Sequence, residues 1–168
     1  LTLINFISNY RHNFNMTPFI KKKDIKNNWY LINAENAVVG RLAAYISIVL
    51  RGKNKSVYNP HIDNGDFVVV TNVSKMKFTG KKFKDKIYYR HTGHPGGIKQ
   101  TSPLTLTEKN KTNEILIKAV KRMLPGGPLA KKQLTKLKIY VDENHPHEVQ
   151  KPTVIEFEKL NKSNLVRN

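Results

Sequence analysis

The stretch from Trp29 to Thr71, WYLINAENAVVGRLAAYISIVLRGKNKSVYNPHIDNGDFVVVT, decides how this chain folds. Its first six residues, Trp29–Ala34, are apolar and aromatic enough for a strand. Asn36 to Gly40 reads as a turn. From Arg41 the apolar residues Leu42, Tyr45, Ile46, Val49 and Leu50 recur at helical spacing. Gly52 is a natural stop, because glycine takes the left-handed conformation that ends many helices. A polar loop, Lys53 to Asp66, leads to Phe67–Thr71, a continuous apolar run. Such a run fits a strand covered on both faces, as in a parallel sheet. Strand, helix and buried strand in sequence predict an α/β fold.

Working outward, Lys86–His91 reads as a strand and Gly93 to Gly97 as a loop. Residues 101–112 are Thr-rich, contain Pro103 and show no assignable period. Glu114–Leu124 reads as a helix, with Leu116, Ala119, Val120, Met123 and Leu124 on one face and Lys118, Lys121 and Arg122 on the other. Pro125-Gly126-Gly127 stops it, and Pro128 suits the first turn of a further helix. There Leu129, Leu134 and Leu137 point one way, and Lys131, Lys132 and Lys136 the other. Lys138–Val141 and Thr153–Phe157 read as short strands. No internal repeat is visible.

The chain has 168 residues, 30 Lys+Arg and 12 Asp+Glu, a net charge of +18. With 39% hydrophobic residues it is too apolar for a disordered basic tail, so the charge sits on a folded body. No Cys is present, which excludes disulfides, thiolate zinc sites and Cys nucleophiles. The longest nearly apolar run, Leu42 to Leu50, is far short of the roughly 20 residues of a spanning helix. A body so charged is built to meet a polyanion, and nucleic acid is the first expectation. Residues 1–141 carry 26 cations and 7 acids, net +19; residues 142–168 carry 4 and 5, net −1. Charge spread over most of the body points to contact with nucleic acid on several sides. Lys, Asn and Ile supply 56 residues, and Lys outnumbers Arg 24 to 6. Those three residues have AT-only codons, so part of the lysine excess reflects an AT-rich genome, such as that of an organelle or a reduced genome.

The chain divides into an N-terminal extension (1–28), a basic α/β domain (29–141) and a near-neutral C-terminal segment (142–168). Residues 1–26 lack a clear period and include the run Lys21-Lys22-Lys23. The first residue is Leu1, Met16 lies inside, and residues 1–20 hold no acid. A remnant of an organellar targeting segment and a flexible extension both fit.

Several groups invite a chemical reading. Two amphipathic helices carry cations opposite their apolar stripes, a pattern of solvated surface or of phosphate contact. Arg51, Lys53 and Lys55 surround Gly52, without the Walker pattern. His61, Asp63 and Asp66 could be an acid–base set, but Asp63-Asn64-Gly65 is an ordinary turn sequence. His91 and His94, even with His145 and His147, lack the spacing of a known metal site, so no metal is expected. The loop holding Gly96 and Gly97 would let an RNA backbone come close, with Tyr88, Arg90, His91 and His94 beside it. Strand alternation turns one of Tyr88 and Tyr89 inward. No nucleophile elbow occurs.

The blocks Gly40-Arg41-Leu42-Ala43, Leu50-Arg51-Gly52-Lys53, Pro60-His61-x-Asp63-x-Gly65-Asp66 and Tyr88-Tyr89-x-His91-Thr92-Gly93 carry a resemblance. So do Gly96-Gly97-Ile98-Lys99, Met123-Leu124-Pro125, Gly127-Pro128-Leu129 and His145-Pro146-His147 followed by Gln150-x-Pro152. In this order they resemble ribosomal protein thirteen of the large subunit, in its bacterial form, from about Trp29 to about Leu160. The His-Pro-His-Glu block is similar to that of alphaproteobacterial and mitochondrial members. The resemblance implies a three-layer α/β/α domain with a parallel four-stranded sheet. It implies a structural protein that binds large-subunit ribosomal RNA early in assembly, beside neighbouring large-subunit proteins. It implies no catalysis, cofactor, membrane or small-molecule substrate. With the codon bias it favours the mitochondrial matrix over the bacterial cytoplasm. The expected RNA-binding residues are Arg41, Arg51, Lys53, Lys55, His61, Lys81, Lys82, Tyr88, Arg90, His91, His94, Gly96, Gly97, Lys99, Lys118, Lys121, Arg122, Lys131 and Lys132. The sequence departs from the family at Gly126, where many relatives carry a cation, and in the Thr-rich 101–112 stretch. Two rivals stand beside this expectation. One is a free RNA-binding translational regulator, the other an RNA hydrolase using His61, Asp63, Asp66, His91 and His94.

Overall fold

A computed structural model describes residues 21–166, so the expectations for residues 1–20 fall outside the described part. Strand β1 (Trp29–Asn33) leads to helix α1 (Val39–Arg51) and then to β2 (Phe67–Thr71). A short helix α2 (Lys82–Asp85) precedes a hairpin of β3 (Tyr88–His91) and β4 (Ile98–Thr101). Helices α3 (Pro103–Glu108), α4 (Thr112–Met123) and α5 (Pro128–Thr135) follow. Then come β5 (Leu137–Ile139), β6 (Thr153–Ile155) and α6 (Phe157–Leu160).

The sheet has four parallel strands in the order β5-β2-β1-β6, flanked by helices, the expected α/β fold. Trp29 lies opposite Phe67 and Asn33 opposite Thr71. Alternation sends Ile32, Val68 and Val70 toward the helices, where they meet Leu42, Ile46, Val49, Leu50, Leu116 and Val120 in one core. Each such aliphatic side chain contributes about 1.5–3 kcal/mol by leaving water. On the opposite face Trp29 stacks on Phe67 with ring centroids 4.4 Å apart, and the His147 ring lies 5.1 Å from Trp29. The cover there is irregular chain from residues 142–151.

Helix α1 begins at Val39, two residues before the predicted start at Arg41. The chain turns helical as soon as it leaves the bridge between Val38 and Lys77. Gly52 ends the helix at φ 74°, and a Cβ there would lie 2.8 Å from the Asn64 carbonyl oxygen. The unassigned 101–112 stretch holds α3, whose first turn is capped by the Ser102 hydroxyl accepting from the Thr105 N–H. The predicted strand at Lys86–His91 begins at Tyr88, because Lys86 caps α2. Leu137 belongs to β5, not to α5: the helix closes at Lys136 and the chain pairs with β2. Met123, expected on the apolar face of α4, is exposed, while Ile115 and Leu124 are buried.

The 162–166 segment is fastened beside the start of α1. Val38 donates its N–H to the Asn164 carbonyl at 2.9 Å, and Val166 donates to Asn36 at 3.1 Å. Among the described residues no helix is long and apolar enough to cross a membrane.

Candidate nucleic-acid interface

The loop after α1 places its charges through buried partners. Lys55 Nζ lies 2.6 Å from Asp66 Oδ1 and also donates to the Lys26 carbonyl. The same Asp66 oxygen accepts the Asn28 N–H at 2.8 Å. Lys136, buried, forms an ion pair with Asp63 at 2.9 Å and donates to the Gly65 carbonyl. Arg51 donates to the Tyr58 hydroxyl at 2.9 Å, with its guanidinium over the same ring. Lys55, expected to bind RNA, is thus engaged inside the protein, and Arg51 is half-buried. Lys53 remains exposed. Asp63 and Asp66 are occupied by lysines, so they are not an acid–base pair.

A second cluster of Val39, Tyr88, Leu106 and Ile115 anchors the β3–β4 hairpin. Tyr88, also expected at the RNA surface, turns inward and is 6% exposed, whereas Tyr89 is 60% exposed. Both stacking and burial were open to this pair; alternation along β3 gives the outward place to Tyr89. Three cations surround the Tyr88 ring: Lys118 at 5.3 Å, Lys86 at 5.4 Å and Arg122 at 6.0 Å from its centroid. Burial pushes the Tyr88 phenol above its usual range, and the Arg122 charge works against that shift. Lys118 also pairs with Glu114 at 3.0 Å, so its charge is partly balanced.

The outer part of the hairpin is open. Arg90 lies opposite Lys99, and His91 opposite Ile98. The Gly93 N–H donates to His91 Nδ1 at 2.9 Å, which fixes the ring beside the loop. Gly96 has φ 71° with nothing within 4 Å of where a side chain would start, so backbone is presented to the outside. Gly97 is different: a Cβ there would meet the Thr92 hydroxyl, and Thr92 donates its N–H to Gly97. Gly97 therefore shapes the loop from inside, and Gly96 offers the close approach.

Two clefts join the expected cations. One, of about 910 Å³, is lined by Gly40, Arg41, Lys82 and Lys162. The other is lined by Gly40, Lys82, Lys86 and Arg122. They share Lys82 and lie at the start of α1, whose first turn has neither an acidic residue nor a side-chain cap. The positive end of the helix thus adds to the side-chain charge. Lys81, Lys121, Lys131 and Lys132 are exposed on α2, α4 and α5 or just beside them. His61 and His94 are exposed in their loops. Lys86, Tyr89 and Lys162 were not among the expected site residues. Lys86 belongs to the run Lys81–Lys86 and was within reach of a charge count, whereas Lys162 is brought in by the fold alone.

His145 and His147 are engaged with Tyr140, whose hydroxyl lies 2.9 Å from His147 Nε2. Among the described residues no group of three or more His, Asp or Glu side chains is placed to hold a metal ion.

Residues 27–146 match the ribosomal protein L13 family. Three relatives bear the name large ribosomal subunit protein uL13. That of Neorickettsia sennetsu is 51% identical over 148 residues, covering 88% of this chain and 97% of the relative. That of Agrobacterium fabrum is 46% identical over 151 residues, 89% of this chain and 98% of the relative. That of Maricaulis maris is 48% identical over 149 residues, 88% of this chain and 97% of the relative. The relatives are bacterial and lend no support to the mitochondrial preference. With the family matched from β1 through β5, including the hairpin and the cleft of Lys82, Lys86 and Arg122, the chain belongs to the ribosomal protein L13 family, whose members are structural and not enzymatic.

Proposed function

We propose that this chain is a structural constituent of the large ribosomal subunit that binds large-subunit ribosomal RNA and supports early subunit assembly. The observation that carries the reading is the pair of clefts sharing Lys82, which gather Arg41, Lys86, Arg122 and Lys162 around the uncapped start of α1. Cations converging on one backbone-lined recess fit phosphates from adjoining RNA segments. The hairpin supplies Arg90, Lys99, His91 and the open Gly96, with Tyr89 free to stack on an unpaired base. Lys53, Lys81, Lys121, Lys131 and Lys132 extend the charge to other sides. Lys55 and Tyr88 hold the scaffold. Neighbouring large-subunit proteins are the other partners. A mitochondrial setting rests only on the codon bias and the 1–26 stretch, so the placement proposed is the large subunit itself.

Sedimentation of tagged full-length chain in high salt tests the reading. A ribosomal constituent stays with large subunits; recovery only in the free fraction would favour the regulator.

A further inference from the structure

Strand β6 is an end strand: it pairs with β1 on one side, and among the described residues nothing pairs with its other side. Open edges are natural templates for another strand, and proteins usually shield them. Here Val154, in the middle of β6, is 64% exposed, and Val149 and Leu160 nearby in sequence are exposed as well. Two clefts flank the edge, and both are lined by Val154 and Asn33.

The charge around this edge is opposite to that of the rest of the molecule. Glu35, Glu156 and Glu158 line one cleft, and Glu143 and Glu148 the other, together five of the chain's twelve acids. Glu35 pairs with Lys75 and Glu156 with Lys159. Glu143, Glu148 and Glu158 have no ion pair among the described residues. Leu165 walls both the acidic cleft beside β6 and the basic cleft of Arg41, so the two surfaces adjoin. Phosphate is repelled by such a group of carboxylates. A covering chain that brings its own cations is attracted.

We propose that the β6 edge receives an extended, lysine- or arginine-bearing segment of a second protein chain. The segment adds a strand beside β6, covers Val154 and sets its cations against Glu143, Glu148 and Glu158. Main-chain hydrogen bonds supply the pairing, and the carboxylates choose a basic occupant over a neutral one. That the second chain is a neighbouring large-subunit protein rests on the ribosomal reading above; the edge and its charge do not.

The test is a photo-crosslinking amino acid placed at Val154 of the full chain in assembled large subunits, with Tyr89 as a second position on the RNA side. The expected result at Val154 is a crosslink to a Lys- or Arg-bearing peptide of another subunit protein. A crosslink to ribosomal RNA or to residues 1–20 of this chain, or none at all, overturns the proposal. Should the probe at Val154 hinder assembly, Val149, next to Glu148, reads the same surface by the same criteria. A crosslink from Tyr89 to RNA with no protein crosslink from Val154 sinks the edge proposal alone. A protein crosslink from Val154 with no RNA crosslink from Tyr89 counts against the hairpin's role and leaves the edge standing. The triple variant E143K/E148K/E158K, all at exposed positions, is expected to cut the Val154 crosslink yield at least about tenfold. Unchanged yield would overturn the role given to the carboxylates.

Discussion

Lys55 Nζ sits 2.6 Å from Oδ1 of Asp66, a carboxylate with no exposure of its own. The pair ties the loop after α1 to the start of β2, and the same lysine reaches back to Lys26. Removing one partner leaves the other charge buried. K55A is therefore expected to destabilise the protein by roughly 3 kcal/mol, measured by urea unfolding. K53A, at an exposed site, is expected to stay within about 0.5 kcal/mol of the parent. Equal, small effects would place Lys55 back among the surface cations.

The exposed cations proposed for phosphate are Arg41, Lys53, Lys81, Lys82, Arg90, Lys99, Lys121, Arg122, Lys131 and Lys132. Ten contacts give a slope of about −7 to −9 for log affinity against log salt. Filter binding to large-subunit RNA across a salt series measures it. K82A/R122A, which removes two charges from the cleft that Lys82 and Arg122 both line, is expected to flatten the slope by about 1.5. A parent slope near −2 contradicts the distributed-contact reading.

Tyr88 and Tyr89 are adjacent in sequence and opposite in role. Y89A is expected to weaken RNA binding by about 1–3 kcal/mol, the range for loss of one base–aromatic stack, with unchanged unfolding. Y88A is expected to cost about 3 kcal/mol of stability, since it removes a buried ring held among three cations. Binding and denaturation measured on both variants separate the roles.

Burial raises the phenol pKa of both Tyr45 and Tyr88 above the ordinary tyrosine value, with Tyr30 adding to the rise at Tyr45 and Arg122 opposing it at Tyr88. Each is an acid that holds its proton more tightly when folded. Their contribution to stability is complete below the usual tyrosine value, about 10, and is lost as pH rises from there through the higher folded-state value. Tm measured from pH 8 to 11 is expected to fall at the alkaline end, and less steeply in Y88F.

Gly65 has no room for a side chain: a Cβ would stand 1.7 Å from the Leu50 carbonyl oxygen. G65A is expected to cost about 4 kcal/mol or more, because two backbone segments must part. Gly96 faces open space, so G96A is expected to cost only about 1–2 kcal/mol, from its left-handed conformation.

The β1–α1–β2 unit was legible because its apolar periods change cleanly from strand to helix to buried strand. β4 was not, since Ile98, Lys99 and Gln100 are all exposed and show no alternation. α3 was hidden by its six-residue length and by threonines, which favour caps and strands over helix interiors. Leu137 carried a misleading phase, three residues after Leu134, at the point where helix becomes strand. Among the expected site residues, the exposed cations of α4 and α5 could be read from charge opposite an apolar stripe, whereas those of the hairpin could not. The internal duty of Lys55 could not, because its decisive partner, the buried carboxylate of Asp66, is identified only by the fold. Lys162 reaches the basic cleft only because residues 36–38 and 164–166 are joined by backbone hydrogen bonds.

That junction also sets a timetable. Arg41 and Lys82 emerge early as the chain is made, but the wall formed by Lys162, Ser163 and Leu165 is synthesised some 120 residues after Arg41. Until then the recess stands open along one side. The last-made residues therefore close a recess whose other walls are made first, and its full outline needs the chain through residue 166.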